Sequence, residues 1–195
     1  MLQAVQWPGM PYPAKTNAAQ ILAAAVPMLE EVGQAGLSLR ALATELGLTP
    51  NALYRYYSGR EALLAALAVQ GAEWLLADLQ AAGSDPDTAP AELARRYLRF
   101  ARSRPALYEL FMTCGSLNSE QRRVYDALWA LVVERLLPLA GPHSRQAAMT
   151  LWGYLHGMVG LERSGVYDAP GDDKPKGTTE FGLRLLLAGL KSLPS

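Results

Sequence analysis

The stretch LSLRALATELGLTPNALYRYYSGREALLAAL, running from Leu37 to Leu67, decides how this chain folds. Leu39, Leu42, Ala43 and Leu46 recur at i, i+3, i+4 and i+7, which gives a short helix from Ser38 to Leu46 one apolar face. Ser38 is the expected N-cap. Gly47 suits the left-handed turn that ends such a helix. Thr49 then reads as an N-cap, and Pro50 fits a first helical position, where no N–H is needed. The second short helix is expected from Pro50 to Tyr57. Two helices joined by a tight glycine turn form the helix-turn-helix layout, which can place polar and aromatic side chains in a DNA major groove. Ser58 followed by Glu61 reads as a capping box. It opens a long helix to about Gln80, with Leu64, Leu67, Gly71, Trp74, Leu75 and Asp78 along one side.

Working outward, Met1 to Pro13 holds Pro8, Gly9, Pro11 and Pro13 and reads as an irregular arm. A helix from Asn17 to Val32 should turn Ile21, Leu22, Ala25, Leu29 and Val32 inward. Pro27 lies inside it and should kink it near Ala23 to Val26. Beyond Gln80, the stretch from Ala82 to Asp87 is expected to be a loop, and helices are expected from Pro90 to Ser103 and from Arg104-Pro105 through Met112. A polar loop from Gly115 to Ser119 precedes a helix from Glu120 to Leu139, which Gly141-Pro142 breaks. A helix from His143 to Arg163, a Gly/Pro/Asp-rich loop from Ser164 to Thr178 and a last helix from Thr179 to Leu193 complete the chain. No internal repeat is present.

The 195 residues are half apolar, rich in Leu and Ala and poor in Val-, Ile- and Thr-rich runs, which predicts an all-α protein. The single cysteine, Cys114, cannot form an intrachain disulfide, which fits a reducing compartment. No uninterrupted apolar run of about 18 residues predicts a membrane span, and the N-terminus lacks a signal-peptide pattern. A cytoplasmic location is expected. The formal net charge of zero argues against a charge-driven nucleic-acid coat, but not against a site-specific reader. Between Ser38 and Arg60, Arg40, Arg55 and Arg60 oppose Glu45 alone.

The string Ile21-Leu22-x-x-Ala25, Gly33, Ser38-Leu39-Arg40-x-Leu42-Ala43-x-x-Leu46-Gly47-Leu48, Leu53-Tyr54-x-Tyr56-Tyr57 and Ser58-Gly59-Arg60-Glu61-x-Leu63-Leu64 resembles the N-terminal domain of the TetR/AcrR family of transcriptional regulators. Pro105-x-Leu107-Tyr108-x-Leu110-Phe111 and Trp152-x-x-x-His156-Gly157 resemble the WHG-type ligand-binding domain of one branch of it. The resemblance implies a DNA-binding domain over residues 14–62 and a ligand-binding and dimerisation domain over 63–195. It also implies a homodimer whose two recognition helices enter successive major grooves, about 34–36 Å apart or somewhat more. The expected partners are double-stranded DNA with a palindromic operator, a small, largely apolar effector, and a second copy of the chain; no membrane is involved. Two departures stand out. The family usually has a basic residue near the start of the first helix, where this chain has Asn17 and Ala18, and it seldom has a proline within that helix, as Pro27 is here.

Thr49, Pro50, Asn51 and Ala52 begin the second helix, whose first turn normally points at base edges. Asn51 can read adenine in a bidentate way and the Ala52 methyl can touch a thymine methyl. Arg55 suits a guanine or a phosphate, and equally a solvated surface. The resemblance implies that Tyr54 donates its hydroxyl to a phosphate, that Tyr56 lies near the backbone or a base, that Arg40 projects to the groove edge and that Arg60 binds phosphate. Arg60 also starts a helix, where the backbone dipole favours phosphate. Leu53 and Tyr57 read as core.

The C-terminal half carries Tyr97, Tyr108, Phe111, Met112, Trp129, Trp152 and His156 as candidate pocket residues, Trp152 and His156 being four apart on one helical face. Gly153, Gly157 and Gly160, which cost helix stability, and the apolar side chains of the last helix mark those two helices as dimer-interface candidates. Two other classes stay open: a helical interaction protein that has kept the fold without DNA binding, and a small enzyme. The enzyme reading lacks a nucleophile elbow, a phosphate-cradling glycine loop or a His-Glu-x-x-His motif. No enzyme, cofactor, catalytic residue or metal site is therefore expected. Cys114 can be a nucleophile, a redox sensor or a small packed hydrophobe.

Overall fold

The computed structural model describes residues 17–113, 118–165 and 177–192. Cys114, the N-terminal arm and most of the two expected loops around 115–119 and 164–178 lie outside them. The described residues form α1 (Ala18–Gly36), α2 (Leu39–Glu45), α3 (Pro50–Tyr54), α4 (Arg60–Gln80), α5 (Ala89–Ser103), α6 (Pro105–Thr113), α7 (Ser119–Ala140), a 3-10 turn (Gly141–His143), α8 (Ser144–Arg163) and α9 (Thr178–Lys191). No strand occurs among them. The all-α expectation holds.

Local chemistry sets most helix starts. Asn17 Oδ1 accepts the backbone N–H of Gln20 at 2.9 Å while the Gln20 side chain accepts that of Asn17 at 3.1 Å. Asn118 and Gln121 form the same reciprocal box at the start of α7. Each box satisfies two N–H groups that the helix itself leaves orphaned. Ser38 Oγ caps α2 by accepting from Ala41 at 3.1 Å.

Four expectations require correction. The capping box from Ser58 to Glu61 does not form: Gly59 is the N-cap of α4 and no side chain caps it. Thr49 is the N-cap of α3, as expected, though its side chain makes no cap hydrogen bond. The recognition helix stops at Tyr54, and a turn through Arg55 and Tyr56 brings Tyr57 back into the core. In α1 the residue that leaves helical geometry is Gly33 (φ 67°), not the region before Pro27. A positive φ strains any residue with a Cβ, so Gly33 absorbs the break. Val32, just before it, is 46% exposed, and the inward face ends at Leu29.

One contiguous core joins the helices. α4 runs through its centre and packs against α1, α5, α6 and α7. It is apolar and long enough to cross a membrane by length and composition, yet half of its most apolar window is buried inside the protein. Gly71 lets α6 approach closely: a Cβ there would lie 2.9 Å from Leu107 Cγ, inside contact distance of a fully buried side chain. A second close approach joins α8 to α9, where Gly182 faces the Tyr154 hydroxyl. That hydroxyl donates to the Thr179 carbonyl at 2.8 Å.

The N-terminal helices are tied to the rest by charge as well as packing. Glu30 of α1 accepts the backbone N–H groups of Ala106 and Leu107, both at 2.9 Å, and so caps α6 from another helix. Arg104 stacks over Trp74 of α4, 4.5 Å from the ring centre.

Candidate nucleic-acid interface and effector cavity

Buried Leu39, Leu42 and Ala43 hold α2 to the core, and fully buried Leu53 holds α3. Gly47 (φ 64°) makes the turn between them, and Leu48 donates to Ala43 O at 2.8 Å. Tyr57 is core, as its position implied. Its hydroxyl points at the Ala18 carbonyl at 3.5 Å, and burial pushes its pKa up. With those anchors fixed, the remaining side chains must face out. Arg40, Thr49, Pro50, Asn51, Tyr54, Arg55 and Tyr56 are all exposed, and Ala52 is half-buried. Tyr54 and Tyr56 are 49% and 45% exposed. Two half-exposed aromatic rings at one short helix and the turn after it offer apolar area for a partner to cover.

Arg60 is placed differently from the other candidates. Its Nε donates to Leu37 O at 3.2 Å, a terminal nitrogen donates to Gln34 O, and the other pairs with Glu61 at 3.0 Å. The guanidinium thus satisfies carbonyls at the C-terminal end of α1, a position that also suits a cation. A guanidinium has five N–H donors, so part of the set stays available for a phosphate.

In the C-terminal half, a cavity of about 340 Å³ opens between α4, α5, α6, α7 and α8. Tyr97, Phe111, Met112, Trp129 and Trp152 line it. Tyr108 and His156 do not. They stand behind the wall in a relay: the Tyr97 and Tyr108 hydroxyls are 2.8 Å apart, and the Tyr108 hydroxyl lies 2.6 Å from His156 Nδ1. Burial is the main reason the Tyr97 hydroxyl is held far above the ordinary phenol range, so it stays protonated. Tyr108 is shifted the same way for the same reason. Trp152 and His156 do share a face, with ring centres 5.9 Å apart.

Sequence reasoning missed Tyr125, Asp126 and Met149, which also line the cavity. Tyr125 stacks on Phe111 at 4.7 Å and donates to its carbonyl. The helical period places Tyr125 and Asp126 on α7 beside Trp129, but only the packing shows that this edge turns towards α6. A larger cleft of about 700 Å³ lies between α5 and the start of α9. Its arginines are already matched: Arg95 pairs with Glu180 at 3.1 Å, Arg102 with Glu162, and Arg99 with Asp78 at 2.8 Å. It offers no uncompensated charge. Among the described residues, no group of three or more His, Cys, Asp or Glu side chains can hold a metal ion.

Residues 21–67 match the family model for bacterial regulatory proteins of the tetR family, and residues 91–186 match the tetracycline repressor-like C-terminal domain. A helix-turn-helix transcriptional regulator of Mycobacterium tuberculosis is 31% identical over 80% of this chain and 74% of its own length. The chain belongs to the TetR family. It is accordingly a DNA-binding transcriptional regulator and not an enzyme. The HTH-type transcriptional regulator YobS of Bacillus subtilis is 27% identical over 87% of the chain and 90% of its own length. Among solved structures, a protein from Rhodococcus sp. RHA1 matches with a TM-score of 0.78 and 26% identity, covering 94% of this chain and all of that one. A TetR variant from Acinetobacter baumannii in complex with minocycline matches with a TM-score of 0.66 and 26% identity, covering 93% and 99%.

Proposed function

We propose that this TetR-family regulator is a ligand-responsive repressor. It binds a palindromic operator as a homodimer and is released by a small, largely apolar effector held in the cavity between α4 and α8. Residues 14–62 act as the DNA-binding unit and 63–195 as the ligand-binding and dimerisation unit, in the cytoplasm. Asn51 and Ala52 face base edges, Thr49 and Pro50 set the helix start against them, and Arg40, Tyr54, Arg55, Tyr56 and Arg60 meet the backbone or flanking bases.

The observation that carries the reading is the position of α6. Its Phe111 and Met112 line the cavity, its Leu107 presses on Gly71 of α4, and its N-terminus is held by Glu30 of α1. A ligand that displaces α6 therefore acts on both helices that carry the helix-turn-helix. It shifts the balance only by its difference in affinity for the two states. The family's A. baumannii member, crystallised with minocycline, supports a small-molecule effector in general terms.

A dimer is supported by the outer faces of α8 and α9. Leu161, Phe181 and Leu185 are between 41% and 58% exposed. Gly153, Gly157 and Gly160 face open space, so another helix can come close there. A mobility-shift assay with DNA from upstream of the chain's own gene, with light scattering to give the stoichiometry, tests the reading. Two chains per operator support it. No shift with upstream DNA, or one chain per site, overturns it.

A further inference from the structure

The cavity wall carries one carboxylate, Asp126, set among aromatic rings. Trp129 lies one turn further along α7, Tyr125 is its neighbour, and Phe111, Tyr97 and Trp152 line the same space. Among the described residues, the Asp126 side chain makes no hydrogen bond and no ion pair. Arg123, on the same helix, is drawn to Glu73 at 3.4 Å, and Arg122 forms no ion pair with Asp126. No cationic side chain lines the cavity. An aromatic face presents negative charge to whatever lies over it and attracts a cation. The lining therefore combines one unpaired carboxylate with several aromatic rings and no cation.

Resting on the effector cavity proposed above, we infer that this cavity selects lipophilic organic cations, an aryl or alkyl body carrying an amine or quaternary ammonium group that faces Asp126. The apolar body displaces water from Leu75, Leu79 and Val132, and Met112 and Met149 adapt to its outline. A neutral molecule of the same shape gains only the burial. An anion meets repulsion from Asp126. Asp126 is exposed at the cavity mouth, so its attraction is screened by salt.

The test is calorimetric titration of the full chain with three probes that share a body: phenylbutyltrimethylammonium, phenylbutanol and phenylbutanoate. The cation should bind about tenfold more tightly than the alcohol at low salt, and the anion most weakly. Asp126→Asn should bring cation and alcohol within about twofold, and Trp129→Leu should narrow the gap in part. Circular dichroism checks that both variants fold. If the alcohol binds the wild type as well as the cation does, or Asp126→Asn keeps the full preference, the inference is wrong and the cavity reading survives. If none of the three binds at millimolar concentration, the cavity reading itself fails and takes this inference with it.

Discussion

The carboxylate of Glu30 accepts the backbone N–H of Leu107 at 2.9 Å, across 77 residues of sequence. Its other oxygen takes the N–H of Ala106. A side chain of the DNA-binding half thus supplies the N-terminal cap of a helix in the other half. Glu30→Ala should cost about 1–2 kcal/mol of stability, the cost of a lost charge-assisted cap. Denaturant melts would show it. Glu30→Gln, which keeps one acceptor oxygen, should lose less. If neither substitution lowers stability, the cap contributes nothing measurable.

Arg60 and Arg40 separate a structural cation from a purely electrostatic one. Arg60→Ala should lower the melting temperature, because the carbonyls of Gln34 and Leu37 lose their partner. It should also weaken binding to every DNA sequence. Arg40 has no such bonds among the described residues, so Arg40→Ala should leave melting unchanged and reduce the salt slope of DNA binding by about one. Asn51→Ala should relax preference at one operator position instead, leaving the slope alone. Binding isotherms at several salt concentrations distinguish the three.

Leu185 is 58% exposed on α9, on the face proposed to pair. Leu185→Arg should give a folded monomer by light scattering, with operator binding reduced at least a hundredfold because half-sites are then bound singly. A dimer that survives this substitution would move the interface elsewhere.

Gly71→Ala should destabilise the protein by about 1 kcal/mol. Alanine improves helix propensity by about that much, but its methyl meets Leu107, which is buried and cannot yield, at a cost of about 1–3 kcal/mol. Combined with Leu107→Ala, the clash disappears, so the double variant should be more stable than the two single losses predict. Gly153→Ala, where a Cβ meets open space, should instead stabilise the isolated chain by about 0.5–1 kcal/mol.

The bond from Arg102 holds the Glu162 carboxyl below the ordinary glutamate range, and the Thr179 hydroxyl adds to it. A carboxylate whose pKa is depressed by folding contributes stability above its unfolded value and loses it as pH falls through the folded one. Glu162→Gln should therefore melt lower than wild type at pH 7, with the difference shrinking once the pH drops below the ordinary glutamate value. Melting curves across that range give the answer; a difference that stays constant with pH would rule out the ion pair as its source.

Much of this protein was legible one element at a time. Pro50 and Gly47 place the recognition helix and its turn, and Leu53 and Tyr57 announce themselves as anchors. Tyr97, Phe111, Met112, Trp129 and Trp152 could be nominated as wall residues from their chemistry alone. Other local signals misled. Ser58 and Glu61 have the right spacing for a cap, but Gly59 takes the cap position and Arg60 is drawn away to α1. Tyr108 and His156 looked like pocket residues and instead support Tyr97 from behind.

The sequence by itself determined the order of the helices, the glycine turn and the set of side chains that must face water at α3. Each of these depends on dihedral preferences and hydrogen bonds within about four residues, or on a helical repeat. Only the tertiary structure decided that Glu30 caps α6, that Arg60 closes the end of α1 and that Asp126 stands at the mouth of an aromatic cavity. Those outcomes depend on where helices far apart in sequence cross, and close packing of many side chains at once, rather than any local pattern, fixes the crossings.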